Sequence, residues 1–321
     1  MTSLRTLGPS DIAVSPLALG GNVFGWTADQ AQSFAVLDAY TAAGGNFVDT
    51  ADAYSSWVPG NEGGESETVI GHWLAARGNR SDIVVATKAG AHPQFKGLSG
   101  TTVKAAAEAS LKRLGTDYID LYYTHFDDPS VPVEEIITAL DQLVKAGKVR
   151  AIAASNLSAE RLQASLDFSE REGLARYVAL QPRYNLVSRE TYEGELRDTA
   201  ARAGLAAVPY SALASGFLSG KYRPGVTVDS ARAAGAGKYL ESRRGLSVLA
   251  ALDKVAQARG AEVATVALAW LAAQPTVVAP IASARTVEQL PALTAVAELE
   301  LTAEELDELT AASDTSSPSP A

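Results

Sequence analysis

The 321-residue chain contains no cysteine and only three histidines. Without cysteine there is no disulfide, no thiolate metal ligand and no cysteine nucleophile, and the redox compartment is left open. His72 and His92 fall in a helical pattern and a loop, so paired strand-end histidines for a metal are missing and no metal centre is expected. Positive charge is also short: 27 Lys and Arg against 37 Asp and Glu leave a net charge of -10. With no basic patch to offset it, this balance argues against nucleic acid as a partner. Long apolar runs are absent too. The most apolar stretch, Val263–Ala273, is too short to span a bilayer, and MTSLRTLGPS lacks the apolar core of a secretory leader. No membrane partner is expected, and a cytoplasmic protein is the default. Finally, no Gly-x-Gly-x-x-Gly opens a strand–helix unit, so a Rossmann-type dinucleotide site is not indicated.

What is present is apolar substance in a regular rhythm. Hydrophobic residues make up 47% and charged residues 20%, enough to bury a large core. Strand candidates are Leu17–Gly21, Asn46–Thr50, Asp82–Lys88, Tyr118–His125, Val149–Asn156, Tyr177–Asn185, Leu205–Ser211 and Thr276–Ser283. Several are nearly continuous apolar runs, as in parallel strands covered on both faces. Amphipathic helical stretches lie between them. Gly44, Gly115, Gly147, Gly173 and Gly204 stand where helices need a left-handed terminal residue, and Pro132 and Ser158 stand at starts. Eight such units favour an α/β (β/α)8 TIM barrel over an open sheet, with an N-terminal cap and an extra C-terminal helical segment, TAEELDELTAAS. No linker divides the chain, so residues 1–313 read as one domain and 314–321 as a disordered tail; Gly225–Gly237 reads as a long loop.

In a barrel the C-terminal strand ends face the active site. Asp49, Lys88 and His125 end the second, third and fourth candidates, and Tyr54 follows in TADAY. Lys88 at the end of an apolar strand needs a carboxylate partner, and Asp49 on the adjacent strand supplies one. Alone, that pair is as much a strand-to-strand tie as a catalytic device. Tyr54 alone reads as a packing residue and His125 alone as a core histidine. Four such groups at one end favour function.

These residues carry a resemblance. NFVDTADAYSS, ESETVIGHWL, VVATK, SLKRLGTDYIDLYYTH, ALDQLVKAGKVRAIAASN, PYSALASGFLSGKY and ARTVEQL are similar to the aldo-keto reductase superfamily, in particular its bacterial and potassium-channel β-subunit-like branches, in the family's order and over nearly the whole chain. The resemblance implies an NAD(P)H-dependent oxidoreductase that reduces a small-molecule aldehyde or ketone, with a tetrad of Asp49, Tyr54, Lys88 and His125. In that scheme Tyr54 is the general acid and Lys88 stabilises tyrosinate and so makes it a better donor. Asp49 holds Lys88, and His125 orients the carbonyl.

The resemblance also implies a cofactor site across the mouth. Gly21 and Asn22 follow the first strand; Ser155, Asn156 and Gln181 would hold the carboxamide; Tyr210 would stack on the nicotinamide. Ser211, Leu213, Ser215, Gly216, Leu218 and Lys221 would line the pyrophosphate, and Ser283, Arg285 and Gln289 would meet the adenosine phosphate near a helix start. Ser283 and Arg285 are the candidates for a 2′-phosphate, so NADPH is expected; Ser283 standing where the family commonly has glycine and Leu293 where it has asparagine leave NADH as the alternative. Phe24, Trp26, Trp57 and Phe126 are candidate apolar walls for an aromatic or alicyclic carbonyl, with ordinary packing as the competing reading. Two rival functions remain: an NADPH-binding regulatory or redox-sensing protein with slow turnover, and a metal-dependent barrel hydrolase, which the histidine shortage disfavours.

Overall fold

The computed structural model describes residues 3–314, so the tail expected from residue 314 lies outside the described residues except for Asp314. Eight parallel strands form one sheet: β1 (Ala18–Gly20), β2 (Phe47–Asp49), β3 (Val84–Ala89), β4 (Ile119–Thr124), β5 (Val149–Ser155), β6 (Tyr177–Gln181), β7 (Ala206–Ala207) and β8 (Ile281–Ala282). β8 pairs with β1, and the ring closes where Ala207 bridges Val277 and the Ile281 amide donates to the Pro209 carbonyl at 2.9 Å. The result is a (β/α)8 barrel.

The last three strands are shorter than their apolar runs suggest. Pro182, Pro209 and Pro280 fall inside the expected segments and cannot donate to a ladder, so regular pairing stops beside them while the chain keeps its extended course.

Alternation within the strands builds two cores. Phe47, Ala86, Leu121, Tyr123, Ala151 and Ala153 pack inside the barrel, whereas Val48, Val85, Tyr122, Ile152 and Leu180 pack outward against helices. The strand-end residues follow the same period: Asp49 continues the inward set of Phe47, and Lys88 that of Ala86. At the N-terminal end, Arg5–Thr6 pairs with Ala13–Val14 in an antiparallel hairpin. Its Leu7, Ile12 and Val14 join the inner cluster with Phe47, Val84 and Val178, so the hairpin caps that end of the barrel. Each such buried aliphatic side chain contributes about 1.5–3 kcal/mol.

The surrounding helices are α1 (Gln30–Ala42), α2 (Glu65–Arg77), α3 (Gly100–Leu114), α4 (Val133–Lys145), α5 (Ala159–Glu172) and α6 (Glu195–Arg202), followed by α7 (Ala233–Leu240), α8 (Arg243–Arg259), α9 (Val263–Ala272), α10 (Leu290–Thr294) and α11 (Ala303–Ser313). The signals at their ends act as expected. Gly115 and Gly173 cap α3 and α5 in the left-handed region at φ +62° each, and Ser158 accepts the Arg161 amide at the start of α5. α11 packs on α8, outside the barrel.

One expectation fails. Gly225–Gly237 is not loop throughout, because α7 begins at Ala233. Its two glycines disfavour a helix locally, but Ala236 is fully buried and Tyr239 packs on Phe217 with ring centroids 5.1 Å apart. Tertiary packing outweighs roughly 1 kcal/mol of glycine cost per residue.

Candidate active site

β2, β3 and β4 deliver the four expected groups to one point. Lys88 is fully buried, and its Nζ donates to Asp49 Oδ2 at 2.7 Å, to the Thr50 carbonyl at 2.7 Å and to the Tyr54 hydroxyl at 3.1 Å. The other Asp49 oxygen accepts from Gln181 Nε2 at 2.8 Å. The His125 ring lies 6.0 Å from that of Tyr54, centroid to centroid, and its Nδ1 is buried without a partner among the described residues. An ammonium in such a site is tolerable only with its three acceptors in place.

The electrostatics differ from the simplest expectation. Burial favours the neutral Lys88 amine, but Asp49 and Tyr54 outweigh it and hold the ammonium above its ordinary value. Burial raises the Tyr54 phenol; Lys88 pulls it down but only partly offsets burial. Lys88 therefore limits a rise in the Tyr54 pKa rather than producing a net fall. Desolvation, then Lys88, lowers His125 to about 3, so its imidazole is neutral through the physiological range.

From this point a cavity of about 580 Å³ runs across the mouth to the segment after β8. Asp49, Tyr54, Asn22 and Tyr210 line one part of it, Ser211, Leu213, Ser215, Gly216 and Lys221 the middle, and Ser283, Arg285 and Gln289 the far part. The middle segment has an unusual backbone. Ser211, Ala214 and Ser215 sit at φ +54°, +48° and +59°, a left-handed run that non-glycine residues adopt at a cost. At the far end Ser283 donates to Asn22 Oδ1 at 2.7 Å and Gln289 accepts the Arg285 amide at 2.8 Å. Leu293 also lines this part.

Several expected residues lie elsewhere. Leu218 and Phe24 are fully buried in the outer core and do not line the cavity, because their apolar side chains turn toward the helices; Phe24 contributes its carbonyl, which accepts from Ser55 at 2.9 Å. Gly21 lies against Ser66 and the Asp49 carbonyl, outside the cavity wall. Ser155, Asn156 and Gln181 are spent on the protein itself. Ser155 donates to the Gln181 carbonyl at 2.9 Å, and Asn156 bridges the His125 carbonyl and the Tyr210 hydroxyl at 2.8 Å each. Trp26 and Trp57 do line the cavity, edge to face at 5.6 Å. Phe126 stacks on His125 at 4.6 Å and faces a second opening beside the hairpin of Ala91–His92 and Phe95–Lys96.

One residue was not singled out from the sequence. Arg232, at the start of α7, lines the cavity with its guanidinium 5.8 Å from the Trp26 ring. Burial and then the like charge of Arg285 hold it below its ordinary value, so two guanidiniums share one cavity. The segment reads as a loop, and only the fold of α7 turns Arg232 inward. Among the described residues no group of three or more His, Asp or Glu side chains gathers as metal ligands, and no helix is long and apolar enough to cross a membrane.

The aldo/keto reductase family profile matches residues 16–314. The chain belongs to that family. A norsolorinic acid reductase of Emericella nidulans is 35% identical, with 95% of this chain and 80% of that protein covered. A probable voltage-gated potassium channel subunit beta of Oryza sativa subsp. japonica is 34% identical over 89% and 88%. An aryl-alcohol dehydrogenase of Pestalotiopsis microspora is 31% identical over 95% and 81%. Family and relatives together make this chain an oxidoreductase of the carbonyl-reducing kind.

Proposed function

We propose that the protein reduces an aldehyde or ketone to an alcohol at the expense of NADPH, with Tyr54 as the general acid. One observation carries the reading: a buried ammonium, Lys88, hydrogen-bonded to both Asp49 and the Tyr54 hydroxyl beside a cavity that two guanidiniums, Arg232 and Arg285, also line. The residues present fit the cofactor. Arg285, in the far part, suits an anionic phosphate, with the charge of Arg232 reaching both Arg285 and Tyr54 across the cavity, and the left-handed Ser211, Ala214 and Ser215 suit close approach. NADPH, when bound, supplies the hydride; NADH is the alternative.

The chain's own groups manage charge and protons. As negative charge grows on the carbonyl oxygen, the Tyr54 hydroxyl passes its proton to it. Lys88 stabilises the phenolate left behind, and Asp49 keeps Lys88 charged and in place. His125, neutral, orients the carbonyl by a hydrogen bond rather than competing as acid. Trp57 and Phe126, 50% and 51% exposed beside Tyr54 and His125, suit a flat apolar substrate, in line with relatives named for an aryl alcohol and norsolorinic acid. Purified protein with NADPH and nitrobenzaldehyde should oxidise the cofactor, and Tyr54→Phe should abolish that turnover. Retention of near-normal turnover in the variant removes Tyr54 from its role.

The relative named as a channel subunit favours a second reading, an NADPH-binding regulatory protein with slow turnover. Tryptophan fluorescence that responds to NADPH without turnover on any of a panel of aldehydes would select it.

A further inference from the structure

Asp52 is fully buried, and among the described residues it is the only carboxyl whose two oxygens are both buried and without a well-formed hydrogen bond, the Ala53 amide alone lying close enough to favour its charged form. It stands between Asp49 and Tyr54 in the chain, and its own amide donates to the Lys88 carbonyl at 3.2 Å. The charged and titratable groups around it are Lys88 on β3, Glu67 on α2, Arg113 on α3 and Tyr122 on β4. The Asp52 backbone carbonyl and the His92 ring both lie close to Gly63.

The cations nearby are already engaged. Arg113 Nε donates to Glu67 at 2.6 Å, and the other Glu67 oxygen accepts from Thr87 at 2.5 Å. Lys88 is held by Asp49, the Thr50 carbonyl and Tyr54. Two cations and two carboxylates thus form two hydrogen-bonded pairs, and Asp52 is a third carboxyl that feels Arg113 and Lys88 without an ion-pair contact of its own. Asparagine or alanine would avoid the desolvation cost, so an unpaired buried acid at this point calls for a role.

We propose, on the strength of the reductase reading, that Asp52 is a positioning residue that holds a proton while the site works and acts on Tyr54 through Lys88. While protonated it leaves the Lys88 field directed at Asp49 and Tyr54. When it ionises, a negative charge enters that Arg113, already paired with Glu67, and Lys88 must share. The phenolate of Tyr54 is then less well stabilised, and proton donation to the carbonyl slows. Burial first, and then Glu67, push the Asp52 carboxyl up to about 8. His125 titrates near 3 and His92 below its ordinary value, while Tyr54 lies above its ordinary 10. A loss of activity centred near pH 8 therefore belongs to Asp52.

The test pairs a pH profile with a direct view of the proton. kcat/KM for nitrobenzaldehyde with NADPH is measured from pH 6 to 10 on wild type and on Asp52→Asn, a permanently neutral isostere. Wild type should fall about tenfold per unit above pH 8, as a single ionisation requires. Asp52→Asn should show no fall there. Infrared difference spectra of wild type between pH 7 and 9 should lose a protonated-carboxyl band that the variant lacks; should Asn fail to fold, Asp52→Ser serves for both measurements. A limb near pH 8 that persists in the variant, or a carboxylate already ionised at pH 7, overturns the proposal. Wild type without turnover at any pH defeats the reductase reading instead, and the positioning role of Asp52 with it.

Discussion

Two buried aspartates mark the two ends of the barrel, and they are handled in opposite ways. Asp120, near the N-terminal end of β4, is 2% exposed and saturated: Arg80 reaches it at 2.8 Å, Arg150 at 2.9 Å and the Val85 amide at 3.0 Å. Asp52, at the mouth, is fully buried and has no side-chain partner. The difference extends beyond these two. The N-terminal end is closed by a hairpin with aliphatic side chains and by ion pairs that satisfy one another. The mouth carries the left-handed Ser55, Asn156, Ser211, Ala214 and Ser215, the unpartnered His125 Nδ1 and two guanidiniums in one cavity. Strain is not confined to the mouth, since Thr276 before β8 also stands at φ +73°, but strained residues and unpaired polar groups gather beside the cavity while the other end is largely paired and packed.

The sharpest way to break this contrast is to exchange the two kinds of damage. Lys88→Met should lower carbonyl reduction by about 10³-fold or more, since it removes the group that stabilises the Tyr54 phenolate. Steady-state kinetics with NADPH would show it, and a loss below tenfold would make the Lys88–Asp49 pair a strand tie only. At the other end, Asp120→Ala should cost about 2–4 kcal/mol in urea unfolding by stranding Arg80 and Arg150, yet leave kcat within twofold. Loss of kcat at full occupancy there would mean that the two ends are coupled.

Smaller effects refine the description of the mouth. Arg285→Ala should raise the Kd for NADPH by roughly 10–100-fold and leave that for NADH nearly unchanged, because a charged hydrogen bond to phosphate contributes about 1.5–3 kcal/mol. Equal loss for both cofactors would place Arg285 on a group they share. Asp52 should also set a stability slope. Its folded-state value is raised above the ordinary 3.8, so the native protein holds the proton more tightly than the unfolded chain. Stability from this group is present below about pH 4 and is lost as pH rises through the window to about 8. Asp52→Asn should therefore gain on wild type in thermal unfolding between pH 5 and 8, and an unchanged difference would mean the carboxyl is ionised throughout. Last, Phe126→Ala should raise KM for aromatic aldehydes by about 3–10-fold, the equivalent of one lost aromatic stack, while sparing short aliphatic ones.

Much of this was readable in the sequence, for identifiable reasons. Strands buried on both faces must be apolar throughout, so IVVAT and VRAIAA reveal themselves, and helices that end in a left-handed turn reveal themselves by glycine. Asp49, Lys88 and His125 were legible because polar residues that close apolar runs have few structural uses. What misled was local: prolines shortened β6, β7 and β8 without a break in hydrophobicity, and glycines concealed α7. Phe24 reads as a pocket wall and Leu218 as a cofactor contact in sequence, yet their side chains turn into the core.

The sequence by itself determined the strand–helix rhythm, the barrel class and the inventory of titratable groups at the strand ends, because these depend on residue type and short spacing. Only the tertiary structure decided that Arg232 joins Arg285, that Asn156 and Gln181 are engaged within the protein, and that Asp120 is saturated while Asp52 is bare. Those outcomes depend on which distant side chains, from α2, α3 and α7, arrive beside each group. Hydrogen bonding and desolvation act over a few ångströms in space, whatever the separation along the chain.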